Sequence, residues 1–294
     1  MNPIIMHINY GELMGGSIGK RSIGDICAMA AQTGFDGIEF RGDPPKELAG
    51  LSFREYAGAI AAGRKEYGLK EILFGISIKN SADPDSRVRK KAAEEAAEKA
   101  KIAADLCGTT LCNTFGADHW SRIPTAPAGA YEYCGSAAGT AEDWDYTVDT
   151  FRQLGQLLEP IGVKFAFETH MIFLHDTPAM AKRLVELIDS PAIGINMDYG
   201  NTVYFPGYPG VEETVDLYGD KLFYTHLKNS IALPGGGRMP TALGEGEINH
   251  RVYLEKLKAA GFRGPVGIEA PRPGDRPCFA RQDLAYFKKV WAEV

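Results

Sequence analysis

The chain has 294 residues, of which 45% are hydrophobic and 24% are charged, and its formal net charge is -6. This composition provides enough apolar side chains for a large buried core. The negative charge disfavours nucleic acid and anionic membrane surfaces as partners. No apolar run is long enough to cross a bilayer, and the first residues lack the pattern of a secretory signal. The five cysteines form no CxxC pair, so we expect buried thiols and a cytoplasmic location.

Short apolar runs alternate with longer amphipathic segments along the whole chain. The pattern predicts strands at residues 4–8, 37–40, 71–78, 109–115, 163–168, 193–198, 222–227 and 266–269. It predicts helices at residues 22–31, 53–67, 83–106, 145–158, 177–188, 211–218, 251–260 and 279–292. Alternation of strands and helices implies a parallel sheet, and eight such units close a barrel. We therefore predict one (β/α)₈ TIM barrel over residues 1–294, with a doubly wound open sheet as the alternative.

Local signals support several of the predicted helix starts. Ser22 and Asp25 have the spacing of a capping box. The pairs Asp83-Pro84 and Thr177-Pro178 each place a capping residue before a proline at the first helical position. We expect each of these pairs to begin a helix.

Two connections are longer than the others, and both follow a predicted strand. Residues 116–143 contain Trp120 and many small residues, and residues 229–249 contain three glycines followed by Arg238. In a barrel both connections lie at the mouth formed by the carboxyl ends of the strands. Loops of this length are usually functional lids or irregular insertions.

The last four predicted strands end in Glu168, Asp198, His226 and Glu269. The separations of 30 and 28 residues between the first three equal one strand–helix unit each, and the final 43 residues also contain the long connection. Each side chain alone is more typical of a hydrogen-bonded polar group at a strand end. Four at one mouth favour coordination, because ionised groups at the ends of apolar strands are costly unless they are paired. Three carboxylates and one imidazole predict one divalent ion, preferably Mn²⁺, with Mg²⁺, Co²⁺ or Zn²⁺ as alternatives.

Motifs along nearly the whole chain resemble the xylose-isomerase-like superfamily of sugar isomerases and epimerases. Its relatives include D-tagatose 3-epimerase, hydroxypyruvate isomerase and inosose dehydratase. The resemblance rests on six segments in order: residues 34–40 (GFDGIEF), 167–170 (FETH), 196–201 (NMDYGN), 225–229 (THLKN), 243–248 (LGEGEI) and 267–269 (GIE).

The resemblance implies that Glu168, Asp198, His226 and Glu269 bind the metal ion. It also implies that Glu168 and Glu269 flank the substrate as general acid and base. Such chemistry removes a proton beside a carbonyl and passes through an enediolate that the metal stabilises.

One position departs from the epimerase pattern, which has histidine three residues after the metal-binding aspartate. This chain has Asn201 there, and His170 or His175 could supply an imidazole instead. Lys228 and Arg238 are the candidates for a family arginine that follows the metal-binding histidine.

Further residues are predicted to line the pocket. Glu39 ends the second strand and either faces the substrate or forms a structural hydrogen bond. Trp120, Phe115 and His7 either form an aromatic wall against the sugar or belong to ordinary packing.

The sequence thus predicts a metal-dependent isomerase or epimerase of a ketose or keto-polyol, with a small sugar as its partner. The alternatives are a lyase on the same scaffold, acting by dehydration or β-elimination on a 3-keto sugar, and a non-catalytic sugar-binding barrel. Whether the chain forms a homo-oligomer is left open.

Overall fold

Eight parallel strands form a closed barrel in the computed structural model, which describes residues 2–12, 21–116, 131–234, 237–270 and 272–294. The described strands are β1 (Ile4–His7), β2 (Gly37–Arg41), β3 (Glu71–Gly75), β4 (Leu111–Thr114), β5 (Lys164–Glu168), β6 (Ile193–Asp198), β7 (Leu222–Leu227), β8 (Asn229–Ala232), β9 (Arg238–Thr241) and β10 (Val266–Ile268). The barrel order is β1-β10-β7-β6-β5-β4-β3-β2, and β8 pairs only with β9. The predicted (β/α)₈ barrel is confirmed.

Helices follow the barrel strands and cover the outside of the barrel. The described α-helices are α1 (Asn9–Glu12), α2 (Ile23–Thr33), α3 (Phe53–Tyr67), α4 (Ser86–Cys107), α5 (Ala141–Leu158), α6 (Pro178–Ile188), α7 (Tyr199–Thr202), α8 (Val211–Tyr218), α9 (His250–Ala259) and α10 (Arg276–Glu293). Short 3-10 turns lie at Lys46–Leu48, Tyr131–Tyr133, Gly135–Ala137, Glu159–Ile161 and Gly219–Lys221. Among the helices of the described residues, none is long and apolar enough to cross a membrane.

The predicted helix caps are confirmed at two of three places. Ser22 and Asp25 form the capping box of α2, and the Thr177 side chain accepts from the Met180 amide at the start of α6. The start expected at Asp83-Pro84 is wrong. The cap of α4 is Asp85, whose side chain accepts from the backbone amide of Arg87.

The connection after β7 contains regular structure, which the sequence analysis did not predict. Strands β8 and β9 pair in antiparallel register from Asn229 opposite Thr241 to Ala232 opposite Arg238. Alternating polar and apolar residues are few in this segment, so its strand pattern is weak. The hairpin lies directly after β7 and therefore at the mouth of the barrel.

The barrel interior is layered, because successive side chains of a strand point to opposite faces. One apolar layer packs inside the barrel and consists of Ile5, Leu73, Leu111, Ala166 and Tyr224. The side chain two residues later on the same strand is polar in four of these five cases: His7, Asn113, Glu168 and His226. A polar layer therefore lies directly above the apolar one, at the carboxyl ends of the strands.

Candidate metal centre

Four strand-end side chains meet in the polar layer at the mouth of the barrel. They come from the neighbouring strands β5, β6 and β7 and from the end of β10, and they are Glu168, Asp198, His226 and Glu269. One ligand atom from each lies within 4.8 Å of the others, which is close enough for one shared metal ion. Glu269 is partly exposed and the other three are buried.

The imidazole of His226 is oriented with one nitrogen toward the three carboxylates. Nε2 lies 2.7 Å from Glu39 Oε2 and donates its hydrogen to this carboxylate. Nδ1 has no hydrogen-bond partner among the described residues. It lies 3.4 Å from Glu168 Oε2, 3.4 Å from Glu269 Oε2 and 3.7 Å from Asp198 Oδ2. With Nε2 bound to Glu39, Nδ1 is the nitrogen left for a metal ion, which is the arrangement of a metal-binding histidine. Burial lowers the pKa of His226, but Glu39 and Glu168 outweigh that effect and raise the pKa well above its usual value, so a bound ion would replace a proton on Nδ1. The residues present therefore fit a divalent ion.

The charges at the centre favour ionised carboxylates. Burial raises the pKa of Glu168, but the neighbouring His226 more than offsets it and the pKa falls to about 2. Burial also raises the pKa of Glu269, whereas Lys228 and His7 lower it well below its usual range. Both glutamates are thus unprotonated at neutral pH, as metal binding requires. Their mixture of oxygen and nitrogen donors suits Mg²⁺, Mn²⁺, Co²⁺ or Zn²⁺.

Amide side chains hold Glu168 in place. Asn113 Nδ2 donates to Glu168 Oε2 at 2.7 Å, and Asn201 Nδ2 donates to Glu168 Oε1 at 3.2 Å. The Asn201 amide also donates to the Thr169 carbonyl, and its backbone N–H donates to Asp198 Oδ1. Asn201 therefore supports two of the four residues, and its predicted contact with the substrate stays a prediction.

Lys228 lies inside the same cluster. Its Nζ atom is 2.7 Å from Asp198 Oδ2 and 3.4 Å from Glu269 Oε2. Burial lowers the pKa of Lys228, but these carboxylates outweigh that effect and raise the pKa above its usual range. The structure thus places a protonated ammonium group at the edge of the centre, and the predicted contact of Lys228 with the substrate stays a prediction.

His170 follows Glu168 by two residues on an extended segment. The backbone of Thr169 still pairs with β6, and its hydroxyl lies 2.9 Å from the Tyr218 hydroxyl, among the outer helices. Because extended side chains alternate, His170 lies on the same side as Glu168. Its Nδ1 lies 2.8 Å from the Met171 carbonyl and donates to it, which leaves Nε2 as a proton acceptor.

Two other residues that were predicted to line the pocket have their polar atoms hydrogen-bonded to other residues of the protein. Glu39 is buried and accepts hydrogen bonds from His226, Tyr224 and Asn113, which matches the structural alternative. Arg238 lies in the hairpin, where it donates to Ser230 and pairs with Glu247.

The remaining aromatic candidates have different environments. His7 is buried, and its Nδ1 lies 3.6 Å from Glu269 Oε1. Phe115 packs against His170, with ring centroids 5.7 Å apart. His175 is buried, and both of its ring nitrogens bind backbone atoms: it accepts from the Gly116 amide and donates to the Glu168 carbonyl. Trp120 lies outside the described residues.

The asparagines that support the centre were not predicted from the sequence. Asn113 and Asn196 interrupt otherwise apolar strands, and Asn196 donates to Asn113 Oδ1 at 3.1 Å. Asn9 donates to Glu269 Oε1 at 2.7 Å. A buried asparagine needs partners for several polar atoms. For Asn113 and Asn196 the signal was therefore a polar residue inside an otherwise apolar strand, whereas Asn9 lies in a helix and had no such signal.

Among solved structures, the fold is similar to three proteins that cover almost the whole chain. A probable 3-DHS dehydratase from Bacillus anthracis has 19% identity and a TM-score of 0.74, over 98% of this chain and 99% of that one. A D-allulose 3-epimerase from Methylomonas in complex with D-allulose has 17% identity and a TM-score of 0.72, over 98% and 97%. A protein from Mycobacterium smegmatis in complex with magnesium has 22% identity and a TM-score of 0.73, over 100% and 97%.

Curated relatives match over about half of this chain. A 3-dehydroshikimate dehydratase from Pseudomonas putida is 28% identical over 149 residues, which are 49% of this chain and 23% of that protein. An inosose dehydratase from Geobacillus kaustophilus is 28% identical over 119 residues, which are 40% of this chain and 36% of that protein. The chain thus matches well under two thirds of the length of either relative. The family model for xylose isomerase-like TIM barrels matches residues 27–290. The chain therefore belongs to the xylose isomerase-like TIM barrel family.

Proposed function

We propose that the protein is a metal-dependent enzyme that removes a proton beside the carbonyl of a small polyhydroxylated ketone and then expels a hydroxyl group as water. The observation that carries this proposal is the orientation of His226, whose Nδ1 faces three carboxylates within 3.7 Å. Three buried carboxylates that converge on one point repel one another, and a divalent cation between them would offset that repulsion. A non-catalytic sugar-binding barrel has no need of this arrangement.

A divalent ion held by Glu168, Asp198, His226 and Glu269 would polarise the ketone oxygen and stabilise the negative charge that develops on it. Lys228 adds a second positive charge at the same edge of the centre, 2.7 Å from Asp198 Oδ2. Two positive charges beside one oxygen favour the charge-separated transition state over the neutral ketone.

His170 is the proposed base. The bond from its Nδ1–H to the Met171 carbonyl leaves Nε2 as the nitrogen that would accept the proton from carbon. Phe115 and Phe173 pack at right angles or nearly so against the ring, at centroid distances of 5.7 Å each. These contacts hold the imidazole beside Glu168 while leaving part of it accessible.

In the elimination step, the C–H electron pair forms the new carbon–carbon double bond. The hydroxyl group on the next carbon leaves with its bonding electrons, and a proton converts it to water. His170 takes the first proton and can return it to the leaving hydroxyl, so one base is sufficient. Both oxygens of Glu168 already accept amide hydrogen bonds and its pKa is lowered to about 2, which favours His170 over this carboxylate as the base. The dehydratases among the relatives also support elimination.

Isomerisation or epimerisation is the second candidate. Glu168 and Glu269 lie at equal distances of 3.4 Å from His226 Nδ1. They come from β5 and from the end of β10, the two outer members of the run of strands that carries the cluster. Two carboxylates on opposite sides of a substrate could remove a proton from one face and return it to the other. An epimerase of the same fold supports this alternative.

The product distinguishes the two reactions. The protein loaded with Mn²⁺ or Mg²⁺ is incubated in heavy water with a panel of ketoses, inososes and 3-dehydroshikimate. Elimination is expected to give a conjugated product that has lost one water and absorbs in the ultraviolet. Epimerisation would give an isomer of unchanged composition with deuterium at the exchanged carbon. Absence of both products and of deuterium exchange across the panel, in protein that binds the metal, would count against both reactions.

A further inference from the structure

We infer that Glu39 is a positioning residue for the metal centre, which fixes the tautomer and orientation of His226 from the opposite side of the imidazole. The inference rests on the proposed function, because it concerns the metal that this function requires. Glu39 contributes no atom to the four-residue cluster, and only 2% of its surface is exposed. It comes from β2, which lies beyond β1 from the strands that supply the cluster.

The contacts of Glu39 all involve donors. Oε2 accepts from His226 Nε2 at 2.7 Å and from the Tyr224 hydroxyl at 2.8 Å. Oε1 accepts from Asn113 Nδ2 at 3.1 Å. A carboxylate can only accept hydrogen bonds, so Nε2 of His226 must carry a proton. Nδ1 is then the nitrogen left for the metal ion, and it faces the other three carboxylates.

Asn113 connects Glu39 to the centre by a second route. Its amide nitrogen donates to Glu39 Oε1 at 3.1 Å and to Glu168 Oε2 at 2.7 Å. The orientation of the Asn113 amide is fixed, because a flip would turn its oxygen toward the two carboxylates and lose both bonds. It would also lose the bond that the oxygen accepts from Asn196 Nδ2. Glu39 is therefore linked to two proposed ligands, His226 directly and Glu168 through Asn113.

The test replaces Glu39 with glutamine and measures metal binding. Gln has one carbonyl oxygen and one NH₂ group where Glu39 has two acceptors, so at least one of its three donors loses its partner. Nε2 of His226 then no longer faces a group that can only accept a hydrogen bond, so its proton and its orientation are less firmly held. We expect Glu39→Gln to weaken the binding of Mn²⁺ and Co²⁺ by about 10–100-fold, as is typical for the partner of a metal-bound histidine. Titration calorimetry with each ion and the visible absorption of bound Co²⁺ report this change without any assay of turnover.

Asp283→Asn is a matched control. Asp283 is also buried and also accepts from three groups: the Tyr10 hydroxyl, the Leu243 amide and Arg272. It touches none of the four proposed ligands, so this variant should lose stability but keep the affinity for Mn²⁺. Histidine ¹H–¹⁵N spectra should show a proton on Nε2 of His226 that is protected from exchange with solvent in the wild type, and this protection should be lost in Glu39→Gln.

The outcomes separate this inference from the proposed function. Equal Mn²⁺ affinity in the wild type and in a folded Glu39→Gln variant, with unchanged histidine spectra, would overturn the positioning role alone. Equal losses of affinity in Glu39→Gln and Asp283→Asn would also overturn it, because the effect would then be general destabilisation. A wild-type protein that binds neither ion would instead contradict the proposed function.

Discussion

Lys228 Nζ lies 2.7 Å from Asp198 Oδ2, so an ammonium group and the proposed metal ion share one carboxylate. Replacement by methionine keeps the length of the side chain but removes its charge. We expect Lys228→Met to bind Mn²⁺ more tightly, by roughly tenfold or more, because a nearby positive charge that repels the ion is lost. The same variant should lose turnover by about 10²-fold, since the developing oxygen charge loses one of its stabilising groups. Calorimetry and steady-state rates measure the two effects, and weaker metal binding would indicate that Lys228 instead holds Asp198 in place.

Removal of single ligands should abolish tight metal binding. We expect Asp198→Ala and His226→Ala to lose the ion, because each variant removes one of the four proposed ligands and the remaining three are too few to hold the ion tightly. Chelation should lower the melting temperature of the wild type, since a ligand at 100 times its Kd contributes about 2.7 kcal/mol to stability. Asp216→Ala, which removes an exposed carboxylate paired with Lys256, should keep both the ion and the chelator effect. A chelator effect that persists in His226→Ala would place the metal elsewhere.

The two candidate bases can be compared directly. We expect His170→Gln to bind Mn²⁺ as the wild type does but to lose about 10²–10⁴-fold in turnover, the usual effect of a missing general base. Deuterium exchange into the substrate should fall by the same factor. If Glu269→Gln abolishes exchange while His170→Gln retains it, the carboxylate is the base and the isomerase mechanism is favoured.

Acid should destabilise the protein partly through His175. Burial lowers the pKa of this imidazole from 6.5 to about 3. The unfolded chain therefore binds a proton at pH values where the folded chain does not. The stability that neutral His175 provides is complete above pH 6.5 and is lost as the pH falls toward 3. We expect the unfolding free energy of His175→Gln, measured with chelator present, to fall less steeply between these values, by an amount on the order of a few kcal/mol. Identical slopes for the two proteins would show that His175 is not the titrating group.

The barrel was predictable because its signals are local. Apolar runs of strand length, caps such as Ser22 and Thr177, and glycine after a helix each depend on a few neighbouring residues. The start of α4 was placed too early because Asp83 and Asp85 are both good caps, and the backbone that selects between them is set by tertiary contacts. The hairpin of β8 and β9 was missed because its strands have four residues each and pair only with each other.

The four-residue cluster was predictable because each member lies at or near the end of a strand, and strand ends of a barrel converge. The hydrogen-bond partners of Glu39 and Asn201 were not, because they depend on side-chain directions across the barrel. Glu39 and His226 are 187 positions apart, and no pattern within either segment indicates that their atoms lie 2.7 Å apart. Buried polar networks of this kind are set by the final packing.

The proposed ligands come from β5, β6, β7 and the end of β10, which are consecutive neighbours around the barrel. An ion at this centre would therefore link four adjacent strands of the barrel, whereas β1, β2, β3 and β4 contribute none of the four residues. Because of this asymmetry, we expect loss of the ion to destabilise mainly the strands that carry the proposed ligands. Backbone amides of the ligand-bearing arc should exchange with solvent faster in the metal-free protein, while the opposite arc keeps its protection. One half of the barrel would thus have the same stability with and without the ion, and the other half would reach full stability only when the ion is bound.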